Sequence, residues 1–430
     1  MKRDCDTYQK YVAILKEELI PAMGCTEPIA LAYAAAKARE TLGAVPNRVR
    51  VEASGNIIKN VKSVIVPHTG HLKGIEAAAA AGIVAGDASK ELQVISDVTD
   101  EQQEAIADFL RLDNIQVFPA DTDKIFDIIV TVWNGEENAR VRICDFHTNV
   151  TLIEKNGEAI YSPVAQKGEE KPVTDRGCLN VESIVDFAAT CDIEDIREMI
   201  ERQIQYNSAI SDEGLRGDYG ANIGQTLLQM YGKNDIKALA KARAAAGSDA
   251  RMNGCELPVV IVSGSGNQGI TASMPVVAYA EHMGVSKEEL IRAVAVSDLL
   301  TIHMKTGIGR LSAYCGAVSA GCGAGAGICF LHGGRYKEIA HTLVNAMAID
   351  SGMICDGAKA SCAAKIALAV EAGIIGYYMY KNGQQFRGGD GIVTKGVEAT
   401  IANVGKLAHD GMKETNKEII EIMVGKRICD

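Results

Sequence analysis

The sequence predicts an α+β fold, with a mixed α/β N-terminal domain over residues 1–170 followed by a mostly α-helical C-terminal domain over residues 171–430. Three observations predict it. Short β-type runs crowd the first 150 residues and almost vanish afterwards. The polar, Pro- and Gly-containing segment QKGEEKPVTDRGCLN divides the two patterns near residue 170. Most of the remainder reads as helices rich in Ala, Ile, Leu and Met. A chain of 430 residues with 47% hydrophobic and 23% charged content is long enough to bury sizeable cores, and its length suggests two or three domains.

Two helical stretches open the chain, TYQKYVAILKEELIPAM and PIALAYAAAKARETLG. The β-type runs follow as NRVRVEAS, VKSVIVP, LQVISDV, IQVFPA, FDIIVTVW and ARVRICD, with HLKGIEAAAAAGIVAG and DEQQEAIADFLRL patterned as helices between some of them. In the second half the exceptions to helix are the glycine-rich turns GLRGDYGANIG, VSGSGNQG and FRGGDG. The run VVIVSGS reads equally as a short strand or as a buried helix ending at glycine. No fixed-period repeat is present.

A net charge of -11 without a long Lys/Arg run argues against nucleic acid or an anionic membrane as partner. The N-terminus MKRDCDTYQKYVAILKEEL is charged throughout and lacks the apolar core of a secretory signal, so a cytoplasmic location is expected. The most lipid-like stretch, CGAVSAGCGAGAGICFL, is shorter than the about 20 apolar residues a membrane span requires, and no membrane segment is predicted. In a reducing compartment the twelve cysteines are not expected to form a disulfide framework, which turns attention to metal or catalytic roles for any clustered subset.

Cys315, Cys322 and Cys329 recur every seven residues, on one face of an ideal helix, with the first and last roughly 21 Å apart. An unbroken helix cannot offer both ends to one small metal cluster. Cys322 and Cys329 therefore read as small core residues, whereas Cys315 stands at an apparent helix start, after GRLSAY. Cys355 and Cys362 share the spacing of seven, but Asp356 and Gly357 lie between them and can bend the backbone, bringing the thiols closer than the roughly 10 Å of a straight helix. The CxxC pairs of zinc ribbons and the ferredoxin spacings are absent, so spacing alone leaves a metal site and simple packing both open.

Motifs in a particular order narrow the choice. AMGCTEP, SGNIIKN, VPHTGHLKG, SGSGNQG, YCGAVSAGCGAGAG and MICDGAKASCAAK, running through nearly the whole chain, resemble the L-cysteine desulfidase family, related to the iron-sulfur L-serine dehydratase alpha chains. The resemblance implies that Cys315, Cys355 and Cys362 are three ligands of a 4Fe-4S cluster with one iron lacking a protein ligand, and that Cys25 is the proton acceptor. It places Cys25 in the first domain and the cluster cysteines in a serine-dehydratase-alpha-like second one. The implied reaction is α,β-elimination of L-cysteine to sulfide and 2-aminoacrylate, which yields pyruvate and ammonia, without pyridoxal phosphate.

The residue types suit that chemistry. An iron open to substrate acts as a Lewis acid on the leaving group, and a base removes the Cα proton. Thr26 as N-cap and Pro28 in the first turn would put Cys25 near a helix N-terminus, which favours thiolate over thiol. Backbone N–H groups of SGSGNQG, with Ser265 and Asn267, form a candidate anion-binding turn for the amino-acid substrate. The Lys-Ser/Thr pair that would close a Walker motif is missing. His68, His71 and Lys73 are candidates to orient the carboxylate or shuttle protons; Lys305, Arg310, Asn56 and Asn60 are further polar candidates. Two other readings stand beside desulfidase: an iron-sulfur L-serine dehydratase, and a non-catalytic metal or redox sensor. A homo-oligomer is compatible with the sequence.

Overall fold

A computed structural model describes residues 1–162, 174–309 and 311–424. The segment expected to divide the chain near residue 170 lies mostly outside these residues, as does Arg310. The first half contains α1 (Asp6–Glu18), β1 (Pro21–Met23), α2 (Thr26–Leu42), β2 (Arg48–Ala53), α3 (Gly55–Val61), α4 (Gly74–Ala85), α5 (Asp100–Arg111), β3 (Ile115–Pro119), β4 (Asp127–Asn134), β5 (Glu137–Cys144), β6 (Val150–Lys155) and β7 (Glu158–Tyr161). The second half contains α6 (Val181–Thr190), α7 (Arg197–Arg216), α8 (Ile223–Tyr231), α9 (Ile236–Met252), β8 (Pro258–Val260), α10 (Gly266–Met283), α11 (Lys287–Ile308), α12 (Gly316–Leu331), α13 (Tyr336–Ile349), α14 (Cys362–Lys381), α15 (Val397–Lys406) and α16 (Lys413–Val424). The fold is α+β, as the sequence predicts.

Six strands form one sheet in the order β3-β2-β4-β5-β6-β7, antiparallel except for the parallel β2–β3 pair. Alternation along β2 sends Val49, Val51 and Ala53 inward, where with Val130, Val132 and Val141 they meet the alanine-rich α2 and α4. A second core joins the helices of the C-terminal half and also takes in Tyr8, Tyr11, Ile14 and Leu15 of α1. The first helix thus packs with the second half of the chain. The short antiparallel pair β1–β8 fastens the segment just before α2 to the segment just before α10, bringing two helix starts side by side.

Two expected strands are absent. In VKSVIVP, Val61 ends α3, and the backbone then turns back on itself, Val66 N–H donating to Leu72 and Gly74 N–H to Val64. LQVISDV lies in a 3-10 turn and the bends after it, with Val94 and Ile95 inserted in the core without sheet partners. Conversely, β6 and β7 extend the sheet with sequences too polar to stand out. VVIVSGS contributes the short strand β8.

Helix α12 is continuous from Gly316 to Leu331. Its glycines serve close packing: a Cβ at Gly325 would lie 2.5 Å from the Gly373 carbonyl oxygen of α14. Among the described residues one helix, Cys362–Lys381, is long and apolar enough to cross a membrane, but more than half of its most apolar stretch is buried inside the fold, where it packs on α9, α12 and α13.

Candidate active site

Four helices, α2, α10, α12 and α14, begin at one cavity of about 120 Å³. Their N-terminal residues Cys25, Ser265, Cys315 and Cys362 line it, and none of the four helices has a side-chain hydrogen bond from its N-cap. Uncapped first-turn N–H groups leave the positive ends of four helix dipoles around a small volume, a field that favours anions.

One wall carries three thiols. An antiparallel bridge pairs Tyr314 with Ile354, with Cys315 N–H donating to Met353 O at 3.1 Å and Cys355 N–H to Ala313 O at 2.6 Å. Residues one step either side of a bridge point to the same face, so Cys315 and Cys355 are diagonal neighbours there. The chain then bends at Gly357, whose φ of +95° suits glycine, and re-enters helix at Cys362. Asp356, within the bend, pairs with Lys359 and Lys365. Buried Lys59 braces the loop from behind, donating to Asn416 Oδ1 at 2.8 Å and to the Ser312 and Cys355 carbonyls at 3.4 Å. Burial pushes the Cys315 thiol up, and neighbouring Cys355 and Cys362 add to the rise. Burial raises the Cys362 thiol as well. Neighbouring thiolates repel one another, and a cation between them removes that cost. Among the described residues no three His, Cys, Asp or Glu side chains close around a single metal ion.

The same cavity carries a fourth thiol and a carboxylate, and Cys362 packs against the small apolar cluster that contains Cys25. Cys25 is 3% exposed and its Sγ–H donates to Glu27 Oε2 at 3.0 Å. The same oxygen accepts from Thr26 Oγ1 at 3.1 Å, and Asn60 Nδ2 donates to Glu27 Oε1 at 3.0 Å. Thr26 also donates to the Gly264 carbonyl, tying α2 to the SGSGNQG turn. Burial would raise the Glu27 carboxyl, but His147, the Cys25 hydrogen bond and Arg251 outweigh it and hold Glu27 below the ordinary carboxylate value. Burial pushes the Cys25 thiol well above its ordinary value, and Glu27 adds to this.

Two expectations about Cys25 are thereby corrected. The N-cap of α2 is Cys25 itself, not Thr26, which is the first helical residue. The resting side chain is a thiol and not a thiolate, because desolvation together with an adjacent carboxylate exceeds the half-charge of a helix end.

Ser265 and Asn267 line the same cavity, as do Asn60 and Lys305. Lys305 Nζ donates to the Gly309 carbonyl. His68, His71 and Lys73 do not line it. His68 pairs with Glu256 at 3.0 Å, His71 faces a separate open cleft beside Tyr219 and Cys255, and Lys73 is the exposed N-cap of α4. The positive φ of His68 and His71 belongs to a tight loop, PHTGHLK, that carries their side chains away. Asn56 is also outside the cavity lining. Cys322 and Cys329, 1% exposed each, belong to the helical core.

Glu27, His147, Arg251 and Gln268 line the cavity without having been singled out by sequence. Glu27 stands two residues from Cys25 within AMGCTEP. Arg251 had a signal too: it is a charge in the last turn of α9, in a run from Ala242 to Met252 that is buried throughout.

A helical body with a thiol-lined cavity at converging helix ends defines the class to which this chain belongs, the serine dehydratase alpha chain family, whose model matches residues 89–421. Its relatives extend over the whole chain. It is 59% identical over 426 residues to a UPF0597 protein of Desulfitobacterium hafniense, covering 99% of both chains. It is 50% identical over 417 residues to one of Lachnoclostridium phytofermentans, covering 97% of this chain and 100% of the relative. With a Fusobacterium nucleatum relative the identity is 49% over 423 residues, covering 96% and 98%. The three thiols of one wall fall inside the matched stretch; Cys25, Glu27 and Asn60 precede it.

Proposed function

We propose that the protein is a lyase that eliminates sulfide from L-cysteine, with an iron-sulfur cluster held by Cys315, Cys355 and Cys362. The observation that carries this reading is the meeting of these three thiols and the Cys25–Glu27 pair in one small, largely buried cavity. The donor set fits the cofactor: thiols are the ligands of iron-sulfur clusters, and three of them line one cavity. When bound, a cluster with an iron open to substrate supplies Lewis acidity at the leaving group.

The chain's own residues supply the rest. Cys25 and Glu27 act as one proton-accepting unit. At rest the thiol is held high and the carboxyl low, so the proton the thiol donates to Glu27 Oε2 moves to the carboxylate only in the same step in which sulfur takes the Cα proton, and no free thiolate has to persist in a buried site. Asn60 and Thr26 hold Glu27 in place for this. As the Cα–H electrons form the Cα–Cβ double bond, the Cβ–S bond breaks and its pair leaves with sulfur. The products are sulfide and 2-aminoacrylate, which tautomerises and is hydrolysed by water to pyruvate and ammonia. Uncapped first turns of α10 and α12 favour the negative charge gathering on substrate and leaving group. Ser265 and Asn267 border the substrate's place, and the burial of the cavity limits water.

The family description favours a second reading, with L-serine as substrate and hydroxide leaving. Both reactions need the same base and Lewis acid. Anaerobically purified protein given each amino acid separates them: a higher kcat/KM for L-cysteine, with sulfide and pyruvate released in equal amounts, supports desulfidase. A higher value for L-serine makes the protein a dehydratase. Cluster-replete protein inactive on both would leave a metal or redox sensor.

A further inference from the structure

Arg251 is a buried cation with no carboxylate in direct contact; Glu27, in the same cavity, acts on it only from a distance. It is 3% exposed; its Nη1 donates to the side-chain oxygen of Asn267 at 3.1 Å, and its Nε has no partner. Arg243, on the same helix and also buried, is paired with Glu281 at 2.7 Å, and Arg176 with Glu17 and Glu18. Among the described residues Arg251 makes no ion pair. The carboxylate that shares its cavity, Glu27, is engaged by Cys25, Thr26 and Asn60.

Its position makes this harder to explain as packing. The guanidinium lies on the first residue of α10, where a Cβ at Gly266 would come 2.3 Å from Nε. Glycine is what lets the cation approach. A cation against a helix N-terminus meets charge of its own sign, and a buried unpaired charge is costly in any case. Both costs are removed by one anion that bridges the guanidinium and the uncapped N–H groups of α10.

We infer that Arg251, with Asn267 fixing its plane and the first turn of α10 beside it, seats the α-carboxylate of the substrate. The inference rests on the reading of this cavity as the site for a small amino acid. It gives the site its selectivity: α-amino acids bind, and the corresponding amines lacking a carboxylate do not bind comparably. Guanidinium matches a carboxylate through two parallel N–H donors, which lysine cannot reproduce.

The test uses anaerobically purified, cluster-containing protein and two ligands that cannot be eliminated, L-alanine and its decarboxylated counterpart ethylamine, titrated calorimetrically. Wild type should bind L-alanine more tightly than ethylamine. In Arg251→Met, L-alanine should weaken about 10- to 100-fold, the loss expected of a charge-assisted pair, while ethylamine is unchanged. Arg251→Lys should fall between, and in it the KM for L-cysteine should rise more than kcat falls. Unaltered L-alanine affinity in either variant overturns the assignment, so Arg251→Lys decides the matter if Arg251→Met does not fold. Carboxylate-dependent binding by a wild-type protein that releases neither sulfide nor water would leave Arg251 in place and remove the lyase reading. Sulfide release with an unchanged KM in Arg251→Lys would do the reverse.

Discussion

Helix α12 and its N-cap carry three cysteines at equal spacing, Cys315, Cys322 and Cys329, and the helix start uses its cysteine differently from the helix interior. Cys315 is the N-cap, faces the cavity and neighbours Cys355 and Cys362. Cys322 and Cys329 are surrounded by core residues, and burial raises both thiols. An equal heptad spacing thus says little about chemistry. What matters is whether the residue falls where a helix begins, because there the side chain meets a loop, unsatisfied N–H groups and the ends of other helices.

The largest effect expected from this contrast is at the helix starts. Replacing Cys315, Cys355 or Cys362 with serine should abolish both the brown absorbance of the anaerobic protein and its activity. A full cluster in any one of these variants breaks the contrast.

Cys25 begins a helix as well, yet its partner is a carboxylate, so it should fail differently. Cys25→Ala should retain the absorbance while turnover falls by roughly 10²- to 10⁴-fold, the range for a lost general base. Exchange of the Cα hydrogen with deuterated solvent should fall with it. Loss of iron would instead make Cys25 a ligand.

Glu27→Gln sharpens the distinction through pH. Since burial and Glu27 hold the Cys25 thiol above its ordinary value, wild-type Cys25 should be alkylated by iodoacetamide at pH 7.5 more slowly than a free cysteine of pKa about 8.5. Removing the carboxylate's charge moves that pKa down. Labelling of Cys25 in Glu27→Gln, followed by mass spectrometry, should therefore speed up while turnover slows. Slower or equal labelling would show that Glu27 does not set the thiol's state.

The smallest effects belong to the interior. Cys322→Ser and Cys329→Ser should keep cluster and activity and lose only stability, roughly 1–2 kcal/mol, as is usual for a polar change in a core. Loss of the absorbance in either would return these residues to the ligand set.

Much of this was legible in the sequence, and unevenly so. The α+β class and the start of α12 at Cys315 follow from patterning and glycine placement. The bend between Cys355 and Cys362 follows from Asp356 and Gly357, and the structure puts it at Gly357. VKSVIVP misled because its valines are buried by a tight loop whose backbone groups satisfy one another, a solution periodicity does not distinguish from a strand. His68 and His71 misled because motif proximity carries no direction: with left-handed backbone at both residues, His68 pairs with Glu256 and His71 faces a separate cleft. Glu27 and Arg251 were passed over for a related reason. Each gains its role from groups far along the chain, Asn60 for one and the N-terminus of α10 for the other.

The most direct measurement is the content of iron and acid-labile sulfide in wild-type, Cys355→Ser and Cys322→Ser proteins purified without oxygen. Wild type and Cys322→Ser should contain iron and sulfide in equal amounts, and Cys355→Ser should have lost both. A colourless zinc-containing wild type, or Cys355→Ser as rich in iron as wild type, would contradict a cluster held at the meeting point of the four helices.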